Sequence, residues 1–184
     1  SVGDITAVNL DNGELLWQLP TQNSLIIDSS FSLETSDIIT DNKNLYFSNN
    51  KNQFFSIDIS TGSFNWETKI NSNIRPISVG NIIFTVSIEG YLILINKNSG
   101  EILRITDVFK EFKDKKRHHI KPSGFIIGKK NIYLSTTNGR LLVIDIESGK
   151  TNSILKIDNE KILRPMIAGE ELVIAKDKAI IKLN

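Results

Sequence analysis

The sequence of 184 residues contains no cysteine, which excludes disulfide scaffolds, thiol nucleophiles and zinc sites with cysteine ligands. It also lacks an excess of charge of either sign, because 22 Lys and Arg residues against 21 Asp and Glu residues leave a net charge of +1. Binding of nucleic acid through bulk electrostatics is therefore excluded, since it requires a concentrated positive surface. No apolar run reaches the roughly 20 residues of a membrane-spanning helix.

The sequence has no signal peptide and no cysteine for lipid attachment near its first residue, Ser1. Strand-like sequence follows almost at once. We expect from this pattern that an upstream segment of the protein precedes the sequence.

Short runs of Val, Ile, Leu, Phe and Tyr are present along the whole chain, cut by Gly, Asn, Asp and Ser. Such runs, bounded by turn residues, predict β-strands, and we predict an all-β fold. One window, residues 106–116, has apolar residues at helical spacing. Because it is short and densely charged, we predict a turn or a loop there.

The sequence repeats itself on a glycine, with spacings of 49, 38 and 49 residues. An Asn or Asp stands four residues before each glycine. The Asx side chain caps the amides of a tight turn and the glycine supplies a positive φ, so the pattern predicts a hairpin. The four pairs are Asn9 and Gly13, Asp58 and Gly62, Asn96 and Gly100, and Asp145 and Gly149.

Each period holds four predicted antiparallel strands in about 40 residues, which is typical of a β-propeller blade. We predict one partial propeller over residues 1–184, either part of a larger ring or completed by self-association with a second copy. Its predicted blades are 1–20 (partial), 32–70, 74–108, 120–157 and 163–184 (partial).

Two of the repeats end in tryptophan, at Trp17 and Trp66. The resulting pattern, Asx-x-x-x-Gly-x-x-x-Trp, resembles the PQQ-like propeller repeat. This resemblance implies eight-bladed rings, of which about four blades would be half, with the tryptophan docked against the next blade. Arg104 and Ser153 occupy the tryptophan column of the other two repeats, which predicts looser packing there.

Nearly the whole chain resembles the C-terminal half of BamB-type outer-membrane protein assembly factors. The segments that carry this resemblance are the ending Arg164–Asn184, the basic insertion Phe109–His119 and the connection Gln22–Asp37. The resemblance implies a periplasmic, outer-membrane-associated lipoprotein whose lipid anchor is missing from this chain. It also implies a non-catalytic scaffold that binds the periplasmic domains of the central barrel protein.

The resemblance implies partner binding through the segment Phe31, Ser32, Leu33 and Glu34. An Asp-x-Asp stretch of the family aligns with Ser32-Leu33-Glu34, where only Glu34 keeps the acid. Two hypotheses follow for this segment. It covers a blade edge, or it forms an exposed strand that a partner's sheet extends.

Two alternatives to the assembly factor remain. One is a binding or sensor domain of another cell-envelope protein, and the other is a relative of the quinoprotein dehydrogenases. Those enzymes need calcium-binding carboxylates, a stacking tryptophan and often a disulfide, whereas this chain has no cysteine and both its tryptophans fall in the repeat column. We therefore predict no catalytic residues, no cofactor and no metal.

The insertion Lys110–His119 concentrates charge, with five positive and two negative residues that give a net +3 and leave −2 for the remainder. It is interpreted as a solvated loop or as a contact for an acidic partner or anionic lipid. His118 and His119 are predicted not to share a metal, because neighbouring residues of an extended strand point to opposite faces.

Overall fold

A computed structural model describes residues 4–20, 33–176 and 179–183. Within these ranges the chain forms seventeen strands and one short helix, and it has no helix long and apolar enough to span a membrane. The first ten strands are β1 (Asp4–Val8), β2 (Leu15–Pro20), β3 (Ile39–Thr40), β4 (Asn44–Asn49), β5 (Gln53–Asp58), β6 (Phe64–Thr68), β7 (Ile77–Val79), β8 (Ile82–Val86), β9 (Tyr91–Asn96) and β10 (Ile102–Asp107). The remaining elements are α1 (Asp114–Arg117), β11 (Pro122–Ile127), β12 (Asn131–Thr136), β13 (Arg140–Asp145), β14 (Thr151–Lys156), β15 (Met166–Ala168), β16 (Glu171–Lys176) and β17 (Ala179–Leu183).

The strands form five antiparallel sheets in chain order, which confirms the predicted all-β class. Three sheets have four strands, β3 to β6, β7 to β10 and β11 to β14. The first sheet pairs β1 with β2, and the last contains β15, β16 and β17. Successive strands in each sheet are hydrogen-bonded neighbours, so every connection within a sheet is a hairpin.

The core lies between successive sheets, because the central strands are buried on both faces. On β9, Leu92 and Leu94 pack toward the sheet that follows, whereas Ile93 and Ile95 pack toward the sheet that precedes. Alternate residues of a strand point to opposite faces, so a strand buried on both sides needs an unbroken apolar run. This arrangement explains the short continuous apolar runs of the sequence.

The two ends of the strands carry different connections. The turns between first and second strands and the four Asx–Gly turns lie at one end of the strands, which we call the turn face. The turns between second and third strands and the links from one sheet to the next lie at the opposite end, which we call the loop face. The sheet-to-sheet links described at the loop face are residues 69–76, 108–121 and 157–165.

The Asx–Gly turns have nearly the same geometry in all four hairpins. The glycine φ angles are 72° to 73°, and each glycine N–H donates to the Asx carbonyl at 2.8 to 2.9 Å. The Asx side-chain oxygen accepts a backbone N–H inside the turn, as at Asp58, where Ser60 and Thr61 donate at 2.9 Å. The Ser60 hydroxyl and the Thr61 amide hold the pKa of Asp58 below its ordinary value.

The last strand of each of the first three sheets, β2, β6 and β10, carries a long side chain that docks on the Asx–Gly turn of the next sheet. Trp17 Nε1 donates to the Ile59 carbonyl at 2.8 Å, and Trp66 Nε1 donates to the Lys97 carbonyl at 3.0 Å. A Cβ on Gly100 would lie 2.6 Å from the Trp66 ring, so the turn must be glycine for the indole to fit.

Arg104 docks on the Asx–Gly turn of the next sheet, although its position in the tryptophan column predicted looser packing. Its Nη2 donates to the Ile146 carbonyl at 3.0 Å, and its Nη1 donates to the carbonyl of Glu147. Ile146 directly follows the Asx residue, as Ile59 and Lys97 do, so the guanidinium reaches the carbonyl that corresponds to the indole's acceptor. Ser153, in the same column, is exposed on β14.

Within the window 106–116, residues 108–113 form a turn as predicted, whereas residues 106–107 end β10 and residues 114–116 begin the helical turn α1, which corrects the prediction there. The amides of Lys116 and Arg117 donate to the Lys113 carbonyl at 2.8 and 3.0 Å, which closes one turn of helix. Sequence spacing did not predict this helical turn, whose last residue, Arg117, contacts Asp107 and Tyr91, both distant from it in sequence.

Candidate protein-interaction surface

The predicted contact segment is placed in part by the structure. Phe31 and Ser32 lie outside the described residues, whereas Leu33 is half-buried and Glu34 is exposed at the loop face. The Glu34 amide donates to Asn50 Oδ1 at 3.1 Å, and the Asn50 amide donates to the Glu34 carbonyl at 2.9 Å. This two-way pairing fixes the backbone of Glu34 against the turn between β4 and β5.

The Glu34 carboxylate reaches the next link of the loop face. Asn73 Nδ2 donates to Glu34 Oε2 at 2.5 Å, and Asn73 lies in the connection between the second and third sheets. The side chain is therefore held in one direction while the residue as a whole stays exposed. An ordered and exposed carboxylate can accept hydrogen bonds from a basic or amide-rich partner.

Glu89, in the turn between β8 and β9, is a second acid of the loop face whose carboxylate is held by an asparagine of the link 69–76. Asn71 Nδ2 donates to Glu89 Oε1 at 2.6 Å, and the Ile88 amide donates to the Asn71 carbonyl at 2.9 Å. Glu89 is exposed, and its backbone carbonyl lies 3.4 Å from Arg117 Nη2. Two oriented acids thus precede the basic insertion along this face.

The basic insertion is attached to the body by its aromatic residues. Phe109 is fully buried and lies against Gly90, and Phe112 packs edge-on against Phe109 with ring centroids 5.2 Å apart. The Phe109 amide donates to Asp107 Oδ1 at 3.0 Å. The apolar side of the insertion therefore faces the core.

Arg117 attaches the other end of the insertion. Its guanidinium makes two parallel hydrogen bonds to the Asp107 carboxylate, at 2.7 and 2.8 Å, and it lies over the Tyr91 ring at 5.6 Å from the centroid. Hydrogen bonding to Asp107 raises the pKa of Arg117. A bidentate pair combined with stacking holds a side chain more firmly than a single surface ion pair does.

The lysines around α1 take no part in these anchoring contacts. Lys113, Lys115 and Lys116 are exposed, and no ion pair involves them within the described ranges. His118 and His119 directly follow α1 in a turn and are both exposed, so the extended strand assumed for them is wrong. In the part of the chain that the structure describes, no group of three or more His, Cys, Asp or Glu residues could hold a metal ion.

A cavity of about 780 Å³ opens at the turn face, opposite the loop face that carries Glu34 and the insertion. Its walls come from the first strands of three successive sheets and are mainly apolar, with Ile77, Ile126 and Ile167 among them. Lys129, between β11 and β12, and Glu170, between β15 and β16, lie in turns at the rim of the cavity. This lining suits apolar contact rather than acid–base chemistry.

The relatives that the chain is similar to include an assembly factor and an enzyme. It is 25% identical over 142 residues to the outer membrane protein assembly factor BamB of Legionella pneumophila, covering 76% of this chain and 32% of that protein. It is 28% identical over 107 residues to the tetrathionate hydrolase of Acidithiobacillus ferrooxidans, covering 56% of this chain and 20% of the hydrolase. The chain spans 20% to 39% of the curated relatives that it matches.

The chain is also similar to a solved structure and matches a family model. The crystal structure of BamB from Moraxella catarrhalis superimposes with a TM-score of 0.68 at 15% identity, covering 98% of this chain and 51% of that chain. This likeness confirms the predicted β-propeller fold, with about four blades in this chain. The family model described as outer membrane protein assembly factor BamB matches residues 1–106. Because that match covers more than half of the sequence, the chain belongs to the BamB family of outer membrane protein assembly factors.

Proposed function

We propose that this chain is a non-catalytic protein-interaction scaffold of the machinery that assembles outer-membrane β-barrel proteins. It acts in the bacterial periplasm at the outer membrane, and it binds the periplasmic domains of the central barrel protein. The observation that carries the proposal is the family match over residues 1–106, which includes the segment containing Glu34. A lipid anchor on the full-length protein is part of the same proposal.

The contact is proposed to involve Phe31, Ser32, Leu33 and Glu34. The structure supports a role for Glu34, because its backbone is paired with Asn50 and its carboxylate is oriented by Asn73 while remaining exposed. A preoriented side chain loses little conformational entropy when a partner binds. The same contacts also fix the edge of the second sheet, so a structural role and a binding role are compatible at this residue.

The propeller is proposed to form half of an eight-bladed ring over residues 1–184. The coverage of about half of the Moraxella BamB chain supports this size. Completion of the ring by a second copy is an alternative to completion by further blades of the same protein. Light scattering distinguishes them, because self-association would double the mass of 20.7 kDa.

A second candidate is a propeller related to an enzyme, which the similarity to the tetrathionate hydrolase favours. The quinoprotein form of this hypothesis predicts that calcium with pyrroloquinoline quinone raises the melting temperature, since a ligand that binds only the folded state stabilises it. An unchanged melting temperature would contradict it.

The scaffold proposal is tested by capture of the purified periplasmic domains of the central barrel protein on the immobilised full chain. Glu34→Lys reverses the charge of the oriented carboxylate, and we expect binding to weaken on the order of tenfold, as for loss of about 1.4 kcal/mol. Glu34→Gln keeps one acceptor oxygen for Asn73 and separates the role of charge from the role of folding.

Glu101→Lys is the matched control, because Glu101 is an exposed acid on the turn face. Its binding should equal that of the unaltered chain. Failure of the unaltered chain to capture the domains would refute the proposed function. Equal binding by Glu34→Lys and Glu101→Lys, with both variants folded, would refute the contact at Glu34.

A further inference from the structure

We infer that the basic insertion, residues 109–119, is a second contact surface on the loop face and that it binds an acidic segment of a protein partner. This inference rests on the proposed scaffold function, and it assigns a role to a segment other than the one containing Glu34. The insertion carries a net charge of +3 on a chain whose remainder sums to −2.

The insertion is an ordered platform. Phe109 and Phe112 anchor its start in the core, and the bidentate pair from Arg117 to Asp107 anchors the end of α1. Arginine, with its planar donor fork, serves here as the internal anchor, while lysines face the solvent. Anchoring at both ends lowers the entropy that a partner would otherwise have to overcome on binding.

Three lysines are left for a partner. Lys113, Lys115 and Lys116 are exposed and carry no ion pair within the described ranges. They belong to α1 or directly precede it, so the anchors that fix α1 also fix their backbone positions. Ammonium groups that are exposed and have no ion pair among the described residues suit carboxylates, which accept hydrogen bonds from them.

The surroundings favour a protein over a membrane surface. The aromatic side chains of the insertion are directed inward, so it offers no side chain to insert between lipids. Three lysines contribute about 1 kcal/mol each near an anionic bilayer, so the insertion by itself would bind a membrane surface only marginally. The exposed acids Glu34 and Glu89 lie on the same face and would be repelled by anionic headgroups.

The arrangement of the exposed charges on the loop face predicts the charge pattern of the partner. Contacts run from Glu34 to Asn73, from Asn71 to Glu89, and from the Glu89 carbonyl to Arg117. Along this path the oriented acids Glu34 and Glu89 come before the basic insertion. A partner with acidic residues opposite the insertion and basic or amide groups opposite Glu34 would be complementary, which fixes its orientation.

The test compares two triple variants of the full chain with the same change in net charge. Lys113→Gln, Lys115→Gln and Lys116→Gln neutralise the insertion, and glutamine keeps the helix propensity of lysine. Lys129→Gln, Lys130→Gln and Lys150→Gln neutralise three exposed lysines of the turn face. The probes are a soluble glutamate-rich peptide, vesicles of phosphatidylcholine mixed with phosphatidylglycerol, and the periplasmic domains of the central barrel protein.

We expect the glutamate-rich peptide to bind the insertion variant on the order of tenfold more weakly than the unaltered chain, and the turn-face variant to bind it normally. Added salt should weaken binding to the unaltered chain more than binding to the insertion variant. Equal loss in both variants would mean non-specific charge attraction and would overturn the inference. Vesicle binding that depends on the insertion, without peptide binding, would overturn it in favour of lipid.

The barrel-protein domains separate this inference from the proposed function. If the insertion variant captures them as well as the unaltered chain does, while Glu34→Lys does not, the scaffold function stands and the insertion is not a contact for that partner. If the unaltered chain fails to capture them, the scaffold function is wrong. The peptide measurement then decides the inference on its own.

Discussion

The turn face and the loop face are built from the same strands, but only one of them repeats. At the turn face, four Asx–Gly hairpins have glycine φ angles within 72° to 73°, and the same carbonyl position receives an indole or a guanidinium from the previous sheet. At the loop face, each link has its own length and chemistry, including the basic insertion. Features that repeat from sheet to sheet maintain the architecture, whereas those that differ are available for recognition.

The comparison predicts that glycines at the two faces differ in what they tolerate. Gly90, at the loop face, has φ +89° and lies so close to the Phe109 ring that a Cβ would overlap it. Gly80, at the turn face, has φ +56° and nothing within 4 Å of the Cβ position. We expect Gly90→Ala to cost about 4 kcal/mol from backbone strain and overpacking combined, and Gly80→Ala about 1 kcal/mol from strain alone.

Urea denaturation of the two variants measures both costs. Because Gly90 packs on the first residue of the insertion, Gly90→Ala should also increase hydrogen exchange at residues 108–117, with no such change in Gly80→Ala. Equal unfolding free energies for the two variants would show that the insertion is not packed on Gly90.

The sequence predicted the turn face better than the loop face, and the reason is the range of the contacts. Asn96 and Gly100 interact within one turn, so their spacing is enough to predict the hairpin. The partners of the insertion are distant in sequence: Phe109 lies on Gly90, and Arg117 lies over Tyr91. Neither contact leaves a periodic signal, and local spacing did not predict α1.

Docking at the turn face predicts a second, smaller difference. Trp66 combines a hydrogen bond to the Lys97 carbonyl with packing on Gly100 and on Phe54 and Tyr46. We expect Trp66→Ala to cost about 3 kcal/mol, mostly from lost apolar contact. Arg104→Ala should cost about 1 to 2 kcal/mol, because the guanidinium contributes hydrogen bonds to two carbonyls that water can replace.

The unfolding free energies of these two variants, compared with that of Leu103→Ala as an exposed neighbour on β10, provide the measurement. An equal cost for Trp66→Ala and Arg104→Ala would mean that the guanidinium is as strong a dock as the indole. The sequence did not predict this contact. A repeat position that changes from Trp to Arg no longer shows the repeat pattern, although the backbone carbonyl that accepts the hydrogen bond is at the corresponding position.

The smallest expected effect concerns acid stability at the turn face. Asp41 accepts from the Lys43 and Asn44 amides and from the Tyr46 hydroxyl, and it pairs with Lys97 of the next sheet at 3.4 Å. Burial alone would raise its pKa, but these donors together lower the pKa of Asp41 from 3.8 to about 2. Burial beside this carboxylate raises the pKa of Tyr46 to about 12.

A carboxylate whose pKa is depressed on folding stabilises the protein above its unfolded pKa, and this stabilisation is lost as the pH falls through the folded value. For Asp41 the window runs from pH 3.8 down to about 2. After allowance for solvent screening, we expect Asp41→Asn to cost about 1 kcal/mol at neutral pH, with the difference from the unaltered chain vanishing as the pH approaches the folded pKa. Unfolding free energies measured across that window check the prediction. If the difference in unfolding free energy between Asp41→Asn and the unaltered chain stays constant with pH, Asp41 contributes through its turn hydrogen bonds rather than through its charge. The contact between the second and third sheets would then depend on Trp66 and the apolar core.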